Sequence, residues 1–399
     1  MAPGGGPNRN GNNGVETSIG FPLDALGEAW QSYGTASPPT VFGRHVYVTG
    51  LDEATGQGAI IARDVATGDP VWSTVREVPG WRTMIDGDEL LVVGDSGPSG
   101  GGLWIDRYDR ATSALLSEGD PYVDTIRGSW TAATSSVTRG DPVWRTSVRV
   151  EDTSVPGSGC STPVIVGSAT TATSTLASER ALVSGVGLGS TDPSSLETGL
   201  GLRAYALDAP PGPCATDSSG AYPVTYGCPV WAVPLEGTTA TAPVLADDLS
   251  TVVVGTDAGL VYAIDEATGA VEWSADVGSA VTADPGIANG MVLVPTASNG
   301  LVALPLDECS ASSCPTAWSS ESTARVVQQP VSAGGVVFVA YAGGELAAHP
   351  VIGNGQAVVP RSWRASLGAE ITIPMAIGSD HLFVSAGRVL HAFAMTPVS

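Results

Sequence analysis

Lysine is absent from this 399-residue chain: all 17 basic residues are arginine, set against 40 aspartates and glutamates, for a formal net charge of −23. A surface of that sign repels a phosphate backbone, which argues against a nucleic-acid partner. Also missing is any apolar run near the roughly 20 residues that cross a bilayer as a helix, so no transmembrane segment is expected. No long stretch carries the 3.6-residue period of an amphipathic helix. Cysteine is scarce, at 5 residues, but four of them form two close pairs, Cys214/Cys228 and Cys309/Cys314. Each pair stands just before a Cys-Pro segment that ends in tryptophan, and no histidine lies beside either. They read as disulfides clipping loops in an oxidising compartment rather than as metal ligands. Cys160 has no assigned partner. The opening "MAPGGGPNRNGNNGVE" has no apolar core of a signal peptide. Residues 1–19 read instead as a flexible Gly/Asn-rich tether, with a leader or lipid-bearing segment possible upstream. The expected location is exported: periplasm, cell surface or extracellular.

What the chain does contain is glycine (51), proline (29) and short β-branched runs such as "TVVVG", "MVLVP" and "GVVFVAY". That combination predicts many short strands joined by tight turns, an all-β class. The strands come with a period. Trp30 to Trp72 and Trp231 to Trp273 are 42 residues apart, while Trp273 to Trp318 and Trp318 to Trp363 are 45 apart. Repeats of that length indicate propeller blades, each a four-stranded antiparallel sheet. The fullest copy, 241–273, predicts an inner strand at 242–246, then strands at 251–255 and 260–265 and an outer strand at 270–274.

"GDPVWRTSV" at 140–148 nearly repeats "GDPVWSTV" at 68–75, so Trp144 is read as another outer-strand tryptophan. The last copy, 373–394, has three strands and no tryptophan. The segment ending in Trp30 is expected to supply its fourth strand and close the ring. Counting Trp30, Trp72, Trp144, Trp231, Trp273, Trp318 and Trp363 gives a seven-bladed β-propeller over residues 20–399.

The turn chemistry of the unit is structural. Asp265 can accept hydrogen bonds from turn backbone, Gly269 permits a positive φ, and Trp273 fills the space between sheets. The pattern Ala-x-Asp-x-x-Thr-Gly-x-x-x-Trp is met at Ala263, Asp265, Thr268, Gly269 and Trp273, and again at Ala62, Asp64, Thr67, Gly68 and Trp72. Partial matches fall at Ala206/Asp208/Trp231 and Ala303/Asp307/Trp318. Here the sequence resembles the quinoprotein (PQQ)-like propeller repeat family. The resemblance extends to its non-enzymatic branch, the architecture of the propeller lipoprotein of the outer-membrane β-barrel assembly machinery.

For the enzymes of the family, the resemblance implies adjacent cysteines in a disulfide and calcium ligands beside a quinone. This chain has no Cys-Cys dipeptide and no calcium-loop motif. The expectation is therefore no catalytic residue, no metal site and no cofactor. The function expected is a protein-binding or assembly scaffold, with a PQQ-dependent dehydrogenase and a carbohydrate-binding or structural cell-surface protein as alternatives. Where the repeat is broken, at 110–139, 167–180 and 209–229, the insertions carry Tyr122, Trp130, Tyr222 and Tyr226. Strand order sends them to a common face, and these residue types anchor interfaces, so they form the candidate interaction patch.

Overall fold

The computed structural model describes residues 26–76, 82–86, 88–95, 103–117, 129–135, 142–149, 164–166, 180–186, 200–206, 213–217, 224–227, 229–246, 249–311 and 313–395. Among these the one helical element is a three-residue 3-10 turn, Gly353–Gly355. Everything else regular is strand, and the strands pair mostly with their neighbours in sequence, as short apolar runs separated by tight turns dictate.

Sheet A is built from Thr40–Phe42, His45–Leu51, Gly58–Asp64 and Pro70–Val75, and sheet B from Arg82–Asp86, Glu89–Asp95, Leu103–Asp109 and Leu115–Ser117. Sheet C contains Val164–Val166, Arg180–Val186, Leu200–Ala206 and Trp231–Pro234. Sheet D contains Val244–Leu245, Thr251–Gly255, Leu260–Asp265 and Val271–Asp276. Its middle two strands have the bounds read from the sequence. Sheet E contains Gly286–Ala288, Met291–Pro295, Leu301–Pro305 and Trp318–Ser320. Sheet F contains Val331–Ala333, Val336–Tyr341, Glu345–Pro350 and Trp363–Ser366. Sheet G contains Ala376–Gly378, His381–Ala386 and Val389–Ala394, and takes the N-terminal strand Gly27–Tyr33 as its fourth. In that last pairing Trp30 stands opposite Ala392 and Tyr33 opposite Val389, so the repeat without a tryptophan borrows one from the other end of the chain.

The chain divides into two compact units. One contains Met1–Thr125, Gly286–Leu304 and Ala317–Ser399, hence sheets A, B, E, F and G; the other contains Ile126–Pro285 and Pro305–Thr316, hence sheets C and D. In the first unit sheets pack face to face in the order E, F, G, A, B. Ala303, Val337 and Val339 join E to F; Phe338, Leu346 and Leu382 join F to G; Val46, Ile61 and Phe383 join G to A; Tyr47, Ile60, Leu90 and Tyr108 join A to B. In the second unit Leu182, Leu202, Val252 and Ile264 join C to D.

The outer-strand tryptophans fasten these stacks, and they do so through hydrogen bonds as well as area. Trp30 Nε1 donates to the Val65 carbonyl at 2.8 Å, Trp231 Nε1 to Glu266 at 2.8 Å, Trp318 Nε1 to Val351 at 2.8 Å and Trp72 Nε1 to Arg110 at 3.1 Å. Each acceptor is the residue just after the turn position occupied by Asp64, Asp265, Pro350 or Asp109, on the next sheet. The glycine of that turn lies under the indole: a Cβ at Gly269 would come within 2.7 Å of the Trp231 ring. Gly269 is therefore required twice, for its φ of +74° and for the ring that covers it. The aspartate shapes the turn as expected, with Asp265 Oδ1 accepting from the Thr268 amide at 2.8 Å.

Three readings of the sequence are corrected. Trp144 lies on Pro142–Arg149, which pairs with Ser129–Ser135 in a two-stranded hairpin and not in a four-stranded sheet. The outer strand of sheet B is Leu115–Ser117, entered by a turn in which Asp109 Oδ1 accepts from the Thr112 amide at 2.7 Å. There Ser113, with φ 60°, takes the glycine position and Ser117 the tryptophan position, so the repeat lost both of its visible markers while keeping its Asp and Thr. Second, Trp231 pairs with Ala204, not with Ala206, which places the partial match two residues too far along. Third, sheet E has a fifth strand. Val358–Val359, from the long turn of sheet F, runs parallel to Trp318–Ser320, with the Ser319 amide donating to Ala357 and the Glu321 amide to Val359, each at 2.9 Å.

Candidate functional site

In the second unit two hairpins stand outside the four-stranded sheets. One joins Ser129–Ser135 to Pro142–Arg149, the other Pro213–Asp217 to Val224–Gly227. Strands Pro142–Arg149 and Val224–Gly227 run beside each other, so the two hairpins are neighbours. Trp130 is on the first, opposite Val148, and Tyr226 is on the second, opposite Ala215. Two of the four aromatic positions singled out from the sequence are thus on elements that the fold brings together. Tyr122 and Tyr222 lie outside the described residues.

In the register Ala132 stands opposite Thr146 and Thr134 opposite Trp144. Trp144, which the sequence suggests as a blade marker, lies on the strand that pairs with that of Trp130. The signal that could have shown this was the intact Asp109-x-x-Thr112 turn, which already completes sheet B without it.

Hydrogen bonds lower the proton affinity of the exposed turn aspartates Asp52, Asp64 and Asp109, whereas burial displaces that of His349, Tyr341 and Tyr47 in the seams between sheets. His349 is 1% exposed, and burial depresses its pKa to about 4. Its Nε2 is 3.3 Å from the Tyr341 hydroxyl, whose pKa burial pushes up to about 12. Tyr47, between sheets A and B, is likewise raised to about 12 by burial. Asp106 is fully buried and bonded by Arg76 at 2.8 Å. Sealed from solvent, His349 and Tyr341 can fix the packing of sheets E and F but cannot exchange protons with a diffusing substrate.

Cys309 and Cys314 form a disulfide with Cα atoms 4.2 Å apart. Cys214 is on Pro213–Asp217, while Cys228 and Cys160 lie outside the described residues. Among the described residues no group of three or more His, Cys, Asp or Glu could share a metal ion, and no helix is long and apolar enough to cross a membrane.

Residues 220–388 match the family model described as "Outer membrane protein assembly factor BamB", a PQQ-type repeat model. No curated protein matches the chain in sequence. Among solved structures, a quinohemoprotein alcohol dehydrogenase from Comamonas testosteroni is 12% identical, with a TM-score of 0.65 over 98% of this chain and 80% of that one. A europium-containing methanol dehydrogenase is 13% identical, with a TM-score of 0.63 over 97% of this chain and 96% of that one. BamB from Moraxella catarrhalis is also 13% identical, but its TM-score of 0.43, over 93% of this chain and 98% of that one, adds nothing to the fold assignment. The chain is all-β, with many four-stranded antiparallel sheets, and these solved neighbours share a propeller-like fold with it. At these identities the structural likeness extends to fold alone.

Proposed function

We propose that the chain is a seven-bladed propeller, with sheets A to G as its blades and Gly27–Tyr33 closing the ring, acting as a non-catalytic protein-binding scaffold in the cell envelope. The observation that carries this reading is the match of residues 220–388 to a model described as an outer-membrane assembly factor. The Cys309–Cys314 disulfide supports an oxidising compartment. The recognition surface is assigned to the paired hairpins that bear Trp130 and Tyr226, with Tyr122 and Tyr222, outside the described residues, as its further candidates. Large aromatics on decorations of a rigid scaffold are the usual anchors of an interface.

The test is a calorimetric titration of the pure protein with pyrroloquinoline quinone and calcium, with dye-linked oxidation of alcohols and sugars measured in parallel. No saturable heat and no turnover are expected. Stoichiometric quinone binding with turnover would replace the scaffold by a quinone-dependent dehydrogenase. Cross-linking in envelope extract then tests the surface: the Trp130→Ala protein should lose a partner that the wild type captures while melting at nearly the same temperature. Undiminished capture would move the binding surface elsewhere.

A further inference from the structure

The strap Val358–Val359 reaches the edge of sheet E through a turn of unusual hand. Gly353, Asn354 and Gly355 have φ of 65°, 50° and 75°, three left-handed residues in succession. Glycine adopts that conformation freely and asparagine or aspartate at a small cost, so Gly-Asn-Gly is a sequence the turn calls for. Gly353 carries a second constraint. A Cβ there would come within 2.5 Å of Trp318 Cδ1, and the same indole donates to the Val351 carbonyl at 2.8 Å. The outer half of the turn is open: Asn354, Gly355 and Gln356 are exposed, and an added Cβ at Gly355 would meet nothing within 4 Å. The Gln356 amide closes the turn on the Gly353 carbonyl at 3.0 Å.

An Asn-Gly pair is chemically labile, because glycine has no side chain to hinder its amide nitrogen from reaching the asparagine side chain. Three such pairs fall on described residues, at 289–290, 299–300 and 354–355. Asn289 and Gly290 form the two-residue loop of a hairpin, with Ala288 paired to Met291 and Ile287 to Val292 directly behind it. Asn299 and Gly300 are tied down more closely. The Asn299 amide donates to Thr296 Oγ1 at 3.0 Å, and the Gly300 carbonyl accepts from the Thr296 amide at 3.0 Å and its hydroxyl at 2.8 Å. A Cβ at Gly300 would also strike the Ser322 carbonyl oxygen. Asn354 and Gly355, by contrast, stand at an exposed corner outside any ladder, so their dihedral angles can change without breaking a strand pair.

We propose that Asn354 is a site of spontaneous deamidation whose isoaspartyl product releases the strap from sheet E. The Gly355 amide nitrogen attacks Asn354 Cγ. The new C–N bond closes a cyclic imide, the bond from Cγ to the side-chain nitrogen breaks, and that nitrogen leaves as ammonia with the proton from the Gly355 amide. Water then opens the imide at either carbonyl, giving aspartate or isoaspartate; no oxidant or reductant takes part. In isoaspartate the main chain runs through the former side chain and is longer by one carbon. Gly353 is pinned beneath Trp318, so the added length passes toward Val358–Val359. That ladder rests on the Ser319 amide donating to Ala357 and the Glu321 amide to Val359, and two residues are too few to absorb a change of register. Release of the strap uncovers the edge of Trp318–Ser320 for pairing with another strand.

The full chain is aged at mildly alkaline pH, with and without urea, then digested with trypsin and sequenced by mass spectrometry. Cleavage after Arg325 and Arg361 gives peptide 326–361, whose only asparagine is Asn354, while peptide 204–325 contains both Asn289 and Asn299. In the folded chain Asn354 should convert roughly tenfold faster than Asn289, the factor expected if reaction at Asn289 must first break one ladder hydrogen bond. Asn299 should be slower still, and in urea the three rates should converge. Equal rates in the folded chain, or a lead for Asn354 that persists in urea, would overturn the site. Hydrogen exchange on a peptide that includes Ser319 and Glu321 reads the release. The isoaspartyl fraction, separated by chromatography, should lose protection there. Asn354→Asp, which tolerates the left-handed turn and leaves the chain length unchanged, should keep it. Full protection in the isoaspartyl fraction, or equal loss in Asn354→Asp, would overturn release by a lengthened chain.

Discussion

At the scale of single residues, one pentapeptide separates local from tertiary control. Asp-Glu-Ala-Thr-Gly occurs at 52–56 and again at 265–269. Both copies make the same turn: Asp52 Oδ1 accepts from the Thr55 amide at 2.9 Å, as Asp265 Oδ1 does from Thr268 at 2.8 Å, and both glycines have positive φ. Yet an added Cβ at Gly56 would meet nothing within 4 Å, whereas at Gly269 it would strike Trp231. Gly56→Ala should therefore cost about 1–2 kcal/mol, the left-handed penalty alone. Gly269→Ala should cost roughly 1–3 kcal/mol more, because the ring must shift. Urea titration of the two variants checks this, and equal losses would mean that the indole is not pinned there. The turn itself was legible in the sequence; the docking of the ring was not, since nothing local distinguishes the copies.

His349 yields a second test at this scale. Its pKa falls from the ordinary 6.5 to about 4 because burial disfavours the charged form. Unfolding below pH 6.5 therefore takes up a proton that the folded protein excludes. Stability is complete above that pH and declines as pH falls toward 4, by up to about 1.4 kcal/mol per unit and on the order of 3 kcal/mol in all. Denaturant melts from pH 7 to 4 should show a shallower slope in His349→Gln. A slope unchanged by that substitution would place the acid sensitivity elsewhere.

At the scale of elements, legibility followed the markers. The strand ending near Trp30 could be assigned to the last repeat because that repeat lacked a tryptophan and the chain start had one to spare. Sheet B was misread for the converse reason: Ser113 and Ser117 replaced Gly and Trp, and the nearby "GDPVW" offered a decoy at Trp144. The parallel strand Val358–Val359 was not legible, because two residues carry no period. The N-terminal strand has the sharpest consequence. Removing residues 1–33 deletes the edge of sheet G and the indole that bonds Val65, a loss comparable to the roughly 3–5 kcal/mol of a large buried aromatic. Removing residues 1–18 should leave the melting temperature almost unchanged. Similar melting points for the two truncations would show that Gly27–Tyr33 is not a structural strand. By contrast, the Cys309–Cys314 bridge spans five positions in sequence, so its reduction should cost no more than about 2 kcal/mol. Calorimetry with and without reductant measures that difference.

At the scale of the molecule, the charge balance that was plain from the sequence has a structural sequel. The scarce arginines are mostly engaged where they can be seen: Arg63 with Glu53 at 2.7 Å, Arg76 with Asp106 at 2.8 Å, Arg44 with Asp64 and Arg110 with Asp88 at 3.3 and 3.2 Å, and Arg361 with Glu345. With 40 acidic residues against 17 basic ones, many carboxylates have no basic counterpart. Two effects of salt then oppose each other. Screening weakens the exposed pairs, each of which contributes only about 0–1 kcal/mol. It also relieves the repulsion of a net charge of −23, which acts over the whole surface and favours the expanded chain. The buried Asp106, fully enclosed, is screened far less than either. Relief of repulsion should win, so raising sodium chloride from about 10 mM to about 300 mM, where the Debye length shrinks from roughly 30 Å to below 8 Å, should raise the melting temperature by a few degrees. Sucrose at matched osmolality, which does not screen charge, separates this from preferential exclusion. A melting temperature that falls with salt would mean that the arginine pairs, few as they are, outweigh the repulsion of the excess carboxylates.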